Sequence, residues 1–179
     1  PTPVDGPLIV RPLFSQVQGR ASVRVEVNAG TSLYGTGEVA GPLLRNDTRA
    51  VAWNYDAYGW GGNDMSLYQS HPWVLAVRAD GSSFGVLADT SYRCLIDLRD
   101  GIRFESAGPV FPVYIVTGAD PAAVIRGLSR LIGTMPLPPL WALGYHQCRY
   151  SYTPDDRVRE VAGSFRDRRL PCDVIWLDI

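Results

Sequence analysis

The chain has 179 residues, 17 basic and 18 acidic, for a formal charge of −1 at pH 7. That balance excludes the basic field of a nucleic-acid module and the cation cluster of a polybasic membrane anchor. With 46% hydrophobic and 20% charged residues, intrinsic disorder is excluded too. The longest apolar runs, at 73–77 and 174–177, fall far short of the roughly 18 residues that a membrane helix needs, so neither nucleic acid nor membrane is an expected partner.

Glycine (18) and proline (14) are frequent enough to predict many short elements joined by turns rather than long helices. All 17 basic residues are arginines, scattered along the chain, which reads as coding bias rather than chemistry. The three cysteines, Cys94, Cys148 and Cys172, are an odd set without a CxxC pair; they argue against a disulfide framework and for a reducing, cytoplasmic compartment. No pair has zinc-ligand spacing with His146, so neither a metal nor another cofactor is expected. The chain opens without Met on the breakers Pro1, Pro3, Gly6, Pro7 and Pro12, and stops at Ile179 inside an apolar run. A piece of a longer protein is the expectation.

From Ala21 to about Val116 the text is that of short strands. Val23, Val25 and Val27 alternate with Arg24, Glu26 and Asn28, the period of a half-buried antiparallel strand. Segments 73–78, 84–88 and 92–98 follow as further strands, with Asp80-Gly81 and Asp100-Gly101 supplying the positive φ of tight turns. Pro112 cannot donate to a ladder, which puts segment 110–116 at an edge or a bulge. Together these predict an antiparallel sandwich. Between Gly35 and Met65 periodicity disappears, and Trp53, Tyr55, Tyr58 and Trp60 gather among Asn, Asp and Gly. That reads as one long functional loop, in which Trp53, Tyr58 and Trp60 either pack the loop, the favoured role, or form an outer binding platform.

After Gly118 the grammar changes. Asp120-Pro121 is an N-cap followed by proline at the first helical position, and Val124, Ile125, Leu128, Leu131 and Ile132 form the apolar stripe of a connector helix that ends at Gly133. Pro136-Leu137-Pro138-Pro139 is a stiff hinge. Segment 140–145 reads as a strand, Thr153-Pro154-Asp155-Asp156 opens a helix with a stripe of Val158, Val161, Ala162 and Phe165, and 173–178 reads as a strand of a parallel sheet buried on both faces. The expected organisation is a sandwich over 1–117, a connector over 118–138 and a strand–helix–strand unit over 139–179. In such a unit both strands end on one face, which would gather His146 to Tyr150 with Asp178 where α/β barrels assemble active sites. A charge after Ile175-Trp176-Leu177 carries a desolvation cost unless paired: Asp178 is either a functional carboxylate or a salt-bridge partner of a neighbour such as Arg149.

Several segments match a known pattern. Tyr34-Gly35-Thr36-Gly37-Glu38, Trp53-Asn54-Tyr55-Asp56-Ala57-Tyr58-Gly59, Leu67-Tyr68-Gln69-Ser70-His71-Pro72 and Phe84-Gly85-Val86-Leu87-Ala88-Asp89 resemble the N-terminal domain of family 31 glycoside hydrolases. Met135-Pro136-Leu137-Pro138-Pro139-Leu140-Trp141-Ala142-Leu143-Gly144-Tyr145-His146-Gln147-Cys148-Arg149-Tyr150-Ser151-Tyr152 resembles the start of that family's catalytic barrel, and Pro171-Cys172-Asp173-Val174-Ile175-Trp176-Leu177-Asp178-Ile179 its second strand. The resemblance implies a mixed β and α/β fold: a galactose-mutarotase-like antiparallel β-sandwich followed by the truncated start of a (β/α)8 TIM barrel. It further implies a retaining exo-α-glucosidase acting on α-glucoside oligosaccharides or glucans, whose nucleophile and acid are aspartates beyond Ile179, leaving the 179-residue piece inactive alone. Residue by residue it carries over Asp178 as a contact to hydroxyls of the terminal glucose, Tyr150 as a pocket aromatic where the family commonly has tryptophan, and Asp56 as the acidic residue of the sandwich loop. Glu38 is read as a domain-interface residue, and His71 and His146 as structural or packing groups. The alternatives are a non-catalytic sugar-binding or mutarotase-like module, or another activity on the same scaffold, such as an α-xylosidase, α-glucan lyase or transglucosidase.

Overall fold

The computed structural model describes residues 10–178; Pro1, Pro3, Gly6, Pro7 and Ile179 lie outside the described residues. The chain divides after Gly133 into two compact units, each described by itself.

The first unit is built from nine strands: β1 (Pro12–Val17), β2 (Arg20–Val25), β3 (Ser32–Gly35), β4 (Arg49–Ala52), β5 (Trp73–Val77), β6 (Ser83–Ala88), β7 (Cys94–Asp97), β8 (Ile102–Ser106) and β9 (Val113–Gly118). They form two antiparallel sheets, ordered β1-β2-β8-β7-β4 and β3-β5-β6-β9. The inward residues of both sheets merge in one core, with Val23, Ile96 and Phe104 from the first meeting Leu33, Val74 and Phe84 from the second. This is the expected sandwich. Burial alternates along β8 (Ile102, Phe104 and Ser106 in; Arg103 and Glu105 half-exposed), as period 2 demands. Gly81 and Gly101 both sit at positive φ in the hairpin loops. Strand β9 pairs only with β6, so Pro112 stands just ahead of an edge strand, as its missing N–H requires.

Four strands escape the sequence reading, among them β8, which no named segment covers. β1 is exposed over most of its length, β3 has only four residues, and β4 lies inside the stretch read as one long loop. In β4 the consecutive Ala50, Val51 and Ala52 are all buried, so there is no alternation to see; its partner is β7, far away in sequence.

Asp97 ties the outer face of the first sheet together. It stands directly opposite Arg49 on β4 and Arg103 on β8, and its carboxylate takes a bidentate pair from Arg99, Nε to Oδ1 at 2.9 Å and Nη2 to Oδ2 at 2.6 Å. Arg103 and Arg49 stand 3.5 and 3.8 Å from Oδ2. The Arg99 hydrogen bonds, against the opposing effect of burial, hold this carboxyl down at about 2. Within the core, Trp73 lies across Gly85 on the neighbouring strand, where any Cβ would run into the indole.

Helix α1 (Pro121–Ile132) starts as predicted: Asp120 Oδ1 accepts the Ala123 N–H at 2.6 Å, and Pro121 follows. It packs on β9 and β6. Only part of its stripe is used there, with Val124 buried and Leu128 half-buried; Ile125, Leu131 and Ile132 remain exposed.

The second unit holds a 3₁₀ turn (Leu140–Leu143), β10 (His146–Gln147), α2 (Asp155–Asp167) and β11 (Val174–Ile175). β10 and β11 pair in parallel, His146 opposite Val174 and Gln147 opposite Ile175, so the predicted strand–helix–strand is present. Its first strand is not where sequence put it. Residues 140–143 close on themselves, with the Ala142 N–H donating to Pro139 O and the Gly144 N–H to Trp141 O. Pairing starts only at Tyr145, whose carbonyl takes both the Asp173 and Val174 N–H groups. The predicted strand over 173–178 is also shorter. Val174 and Ile175 are half-buried while Trp176 and Leu177 are 54% and 71% exposed, so the ladder is not covered on both faces among the described residues. On α2, Val158, Val161 and Phe165 are half-buried and Ala162 is exposed. Phe165 meets the Tyr145 ring, centroids 5.9 Å apart, and Arg166 Nη2 donates to Cys172 O at 2.9 Å. No helix among the described residues is long and apolar enough to cross a membrane.

Asp97→Asn tests the ion cluster. A carboxyl lowered from 3.8 to about 2 by folding adds stability that is fully present above pH 4 and is lost as pH falls through 2. Urea titration of the variant should show a loss of about 2 kcal/mol at pH 7 that shrinks towards zero near pH 2; a pH-independent difference would assign the effect to packing.

Candidate functional site

Tyr150 and Asp178 stand on corresponding sides of the parallel pair. β10 ends at Gln147 and β11 at Ile175, and three residues beyond each come Tyr150 and Asp178. Because the two strands are parallel, the chain leaves both of them at the same, C-terminal, end of the sheet. Tyr150 is 80% exposed, and Asp178 is exposed. Just after Tyr150, Ser151 takes φ +67°, a left-handed conformation that bends the chain sharply, and its hydroxyl lies 3.0 Å from that of Thr153. His146 and Gln147, expected beyond the strand, lie within it. Gln147 accepts from the Tyr145 hydroxyl at 2.7 Å and donates to the Tyr152 hydroxyl at 3.1 Å, a polar bracket on the strand's α2 side.

Asp56 lies in the other unit, on the loop that leaves β4. The loop is anchored at its base and along its return: Ala57 and Leu67 are buried, the Val51 N–H donates to Met65 O at 2.7 Å, the Tyr55 N–H to Leu67 O at 3.3 Å, and the Ser66 hydroxyl bonds Trp53 O. Its tip is braced by Asp64. One carboxylate oxygen accepts the Gly61 N–H at 2.6 Å, the other faces the Tyr55 hydroxyl at 3.5 Å, and the Asp64 N–H donates to Gly61 O. Partial burial first, then the Asp64 charge, push the Tyr55 phenol above its ordinary value. With the backbone so tied, Asp56 projects outward among exposed aromatics, Tyr58 at 94% and Trp53 and Trp60 at over half. The expectation that Trp53, Tyr58 and Trp60 pack the loop therefore fails within the described residues: packing falls to the small Ala57 and to Leu67.

Sequence reading passed over the residues that hold this region. Arg45 donates from Nη1 to Ala40 O at 2.9 Å and from Nη2 to Val39 O at 3.1 Å, while Asn46 bridges Leu33 N–H and Thr31 O at 2.8 and 2.9 Å. Glu38 accepts the Tyr68 N–H at 3.1 Å, a clasp inside the sandwich. His71 is exposed. All three cysteines are thiols; Cys94 is pushed up to about 12 by burial and is chemically quiet. Among the described residues no group of three or more His, Cys, Asp or Glu is arranged to hold a metal.

Two family models match the chain: the glycosyl hydrolase 31 N-terminal galactose mutarotase-like domain over residues 14–97, and the glycosyl hydrolases family 31 TIM-barrel domain over residues 135–179. Alpha-glucosidase 2 of Bacillus thermoamyloliquefaciens is 38% identical over 90% of this chain and 21% of its own length; the alpha-glucosidase of Hordeum vulgare is 35% identical over 83% and 17%. Among solved structures, a family 31 alpha-glucosidase from Bacteroides thetaiotaomicron superposes with a TM-score of 0.81 at 50% identity, covering 92% of this chain and 28% of that one. A Flavobacterium johnsoniae dextranase complexed with isomaltotriose does so with a TM-score of 0.81 at 31% identity, covering 93% and 20%. The chain thus spans about a fifth of the length of the curated relatives it matches.

If Asp64 is the brace of the aromatic loop, Asp64→Ala should speed amide hydrogen exchange at Gly61 and its neighbours about tenfold, the worth of one charge-assisted hydrogen bond. Asp64→Asn should recover part of the protection. Unchanged exchange in the alanine variant would transfer the bracing to the Leu67 side.

Proposed function

Because the chain belongs to glycosyl hydrolase family 31, we propose that the protein carrying it is a retaining exo-α-glucosidase that releases terminal, non-reducing α-linked glucose from oligosaccharides or glucans. The observation that supports the reading is the parallel register of β10 and β11, after whose C-terminal ends Tyr150 and Asp178 each follow by three residues. A carboxylate there accepts two short, charge-assisted hydrogen bonds from adjacent sugar hydroxyls, bonds that an epimeric or deoxy sugar would forfeit. The exposed Tyr150 ring offers a flat apolar face to the sugar's C–H groups. Asp56, held outward on its braced loop, is assigned the sandwich's contribution to substrate binding. The non-catalytic sugar-binding alternative is disfavoured by the barrel-type match over residues 135–179.

Retention of configuration requires two further carboxylates, typically about 5 Å apart, one attacking the anomeric carbon and one protonating the leaving oxygen. We assign neither of these to the residues described here, whose proposed part is to bind the sugar. The isomaltotriose complex of the dextranase favours including α-1,6-linked substrates in any assay.

In the intact protein, Asp178→Ala should lower kcat/KM for maltose and isomaltose about a hundredfold or more, the loss of a pair of charged hydrogen bonds. Kinetics equal to wild type would remove Asp178 from the sugar site, and a wild-type protein inert towards α-glucosides would refute the proposed activity.

A further inference from the structure

Strand alternation sorts the side chains of the parallel pair onto two faces. Tyr145 and Gln147 share the face on which Tyr145 meets Phe165 of α2. His146 lies on the opposite face, next to its partner Val174. The ladder continues one step past β11, with the Trp176 N–H donating to Gln147 O at 2.9 Å, and this returns Trp176 to the face of His146 and Val174. There the indole Nε1–H donates to His146 Nδ1 at 3.1 Å, with the two rings 5.9 Å apart and tilted by 41°.

This contact has a chemical consequence. An indole nitrogen can only donate, so the Nδ1 that receives it carries no proton, and the imidazole bears its proton on Nε2. That Nε2 is buried and has no hydrogen-bond partner among the described residues. Burying an unsatisfied donor has a cost, and the residue is nevertheless set so that its other nitrogen receives the tryptophan. The side chain's visible work is to hold the indole.

We propose that His146 is a positioning residue for the sugar-binding carboxylate: by accepting the Trp176 N–H it pins the indole and thereby fixes the path through Leu177 that leads from the ladder to Asp178. Its effect on substrate binding rests on the α-glucosidase reading; the pinning of Trp176 does not.

The test uses the intact protein with two readouts. In kinetics with maltose, His146→Leu should raise KM about three- to tenfold, the span of one neutral hydrogen bond, with kcat changed less. His146→Asn, which returns an acceptor near the Nδ1 position, should restore most of the affinity. Trp176→Phe, which keeps a ring and removes the donor, should weaken binding, and adding His146→Leu to it should cost nothing further, as expected for two ends of one bond. Fully additive losses, or His146→Asn as impaired as His146→Leu, would overturn the proposal. The second readout is the Trp176 indole N–H resonance, identified by its disappearance in Trp176→Phe. It should be protected from solvent exchange in the wild type and lose that protection in His146→Leu. An unprotected resonance in the wild type would overturn the pinning whatever the enzyme's activity, whereas a protected one in a protein inert towards α-glucosides would refute only the proposed function.

Discussion

The functional reading depends on a very short parallel ladder. β10 and β11 share two residue pairs, extended by the donations of Asp173 and Val174 to Tyr145 O and of Trp176 to Gln147 O. Direction is what matters. Were the two strands antiparallel, Tyr150 and Asp178 would leave at opposite ends of the pair and could serve no common ligand. Parallel pairing demands a crossover, and α2 supplies it, tied back by the Tyr145–Phe165 ring contact and by the Arg166 donation to Cys172 O just ahead of β11. The helix and its fastenings are thus part of the site's construction even though none of them is assigned to the sugar.

The sandwich solves a different problem. Its two sheets share one dry core, and its outer face is locked by an aspartate set between three arginines. Such a body can present a loop without bending to it. The loop after β4 is then shaped by polar staples rather than by its own aromatics: Asp64 fastens Gly61 and Tyr55, and the rings of Trp53, Tyr58 and Trp60 are left outward. The result is a loop whose backbone is tied by hydrogen bonds and whose aromatic and acidic side chains are exposed.

The legibility of the fold in the sequence followed local physics. β2, β5 to β7 and β9 could be read because alternation or β-rich runs and turn glycines are local signals, and the start of α1 because Asp120 and Pro121 are local too. β1, β3 and β4 could not. Each is short or lacks alternation, and the pairings of β3 and β4 join residues distant in sequence, as in the Ala50 and Ile96 pair. The strand expected over 140–145 was misplaced because an apolar run after two prolines reads as a strand from composition, whereas the ladder begins only where β11 offers a partner. For the candidate site, strand direction alone gathered His146 to Tyr150 with Asp178, and the family resemblance singled out Tyr150 among them. Arg45, Asn46 and Asp64 were not: their roles are hydrogen bonds to loop backbone, which no spacing announces. The His146–Trp176 bond was hidden likewise, since it joins residues 30 apart through the register of the pair.

The most direct measurement is a crystal structure of the intact protein with glucose bound. The account predicts the Asp178 carboxylate within hydrogen-bond distance of two ring hydroxyls of that glucose, with the Tyr150 ring against the same sugar. Glucose seated elsewhere, with both side chains turned away from it, would contradict the account at its centre.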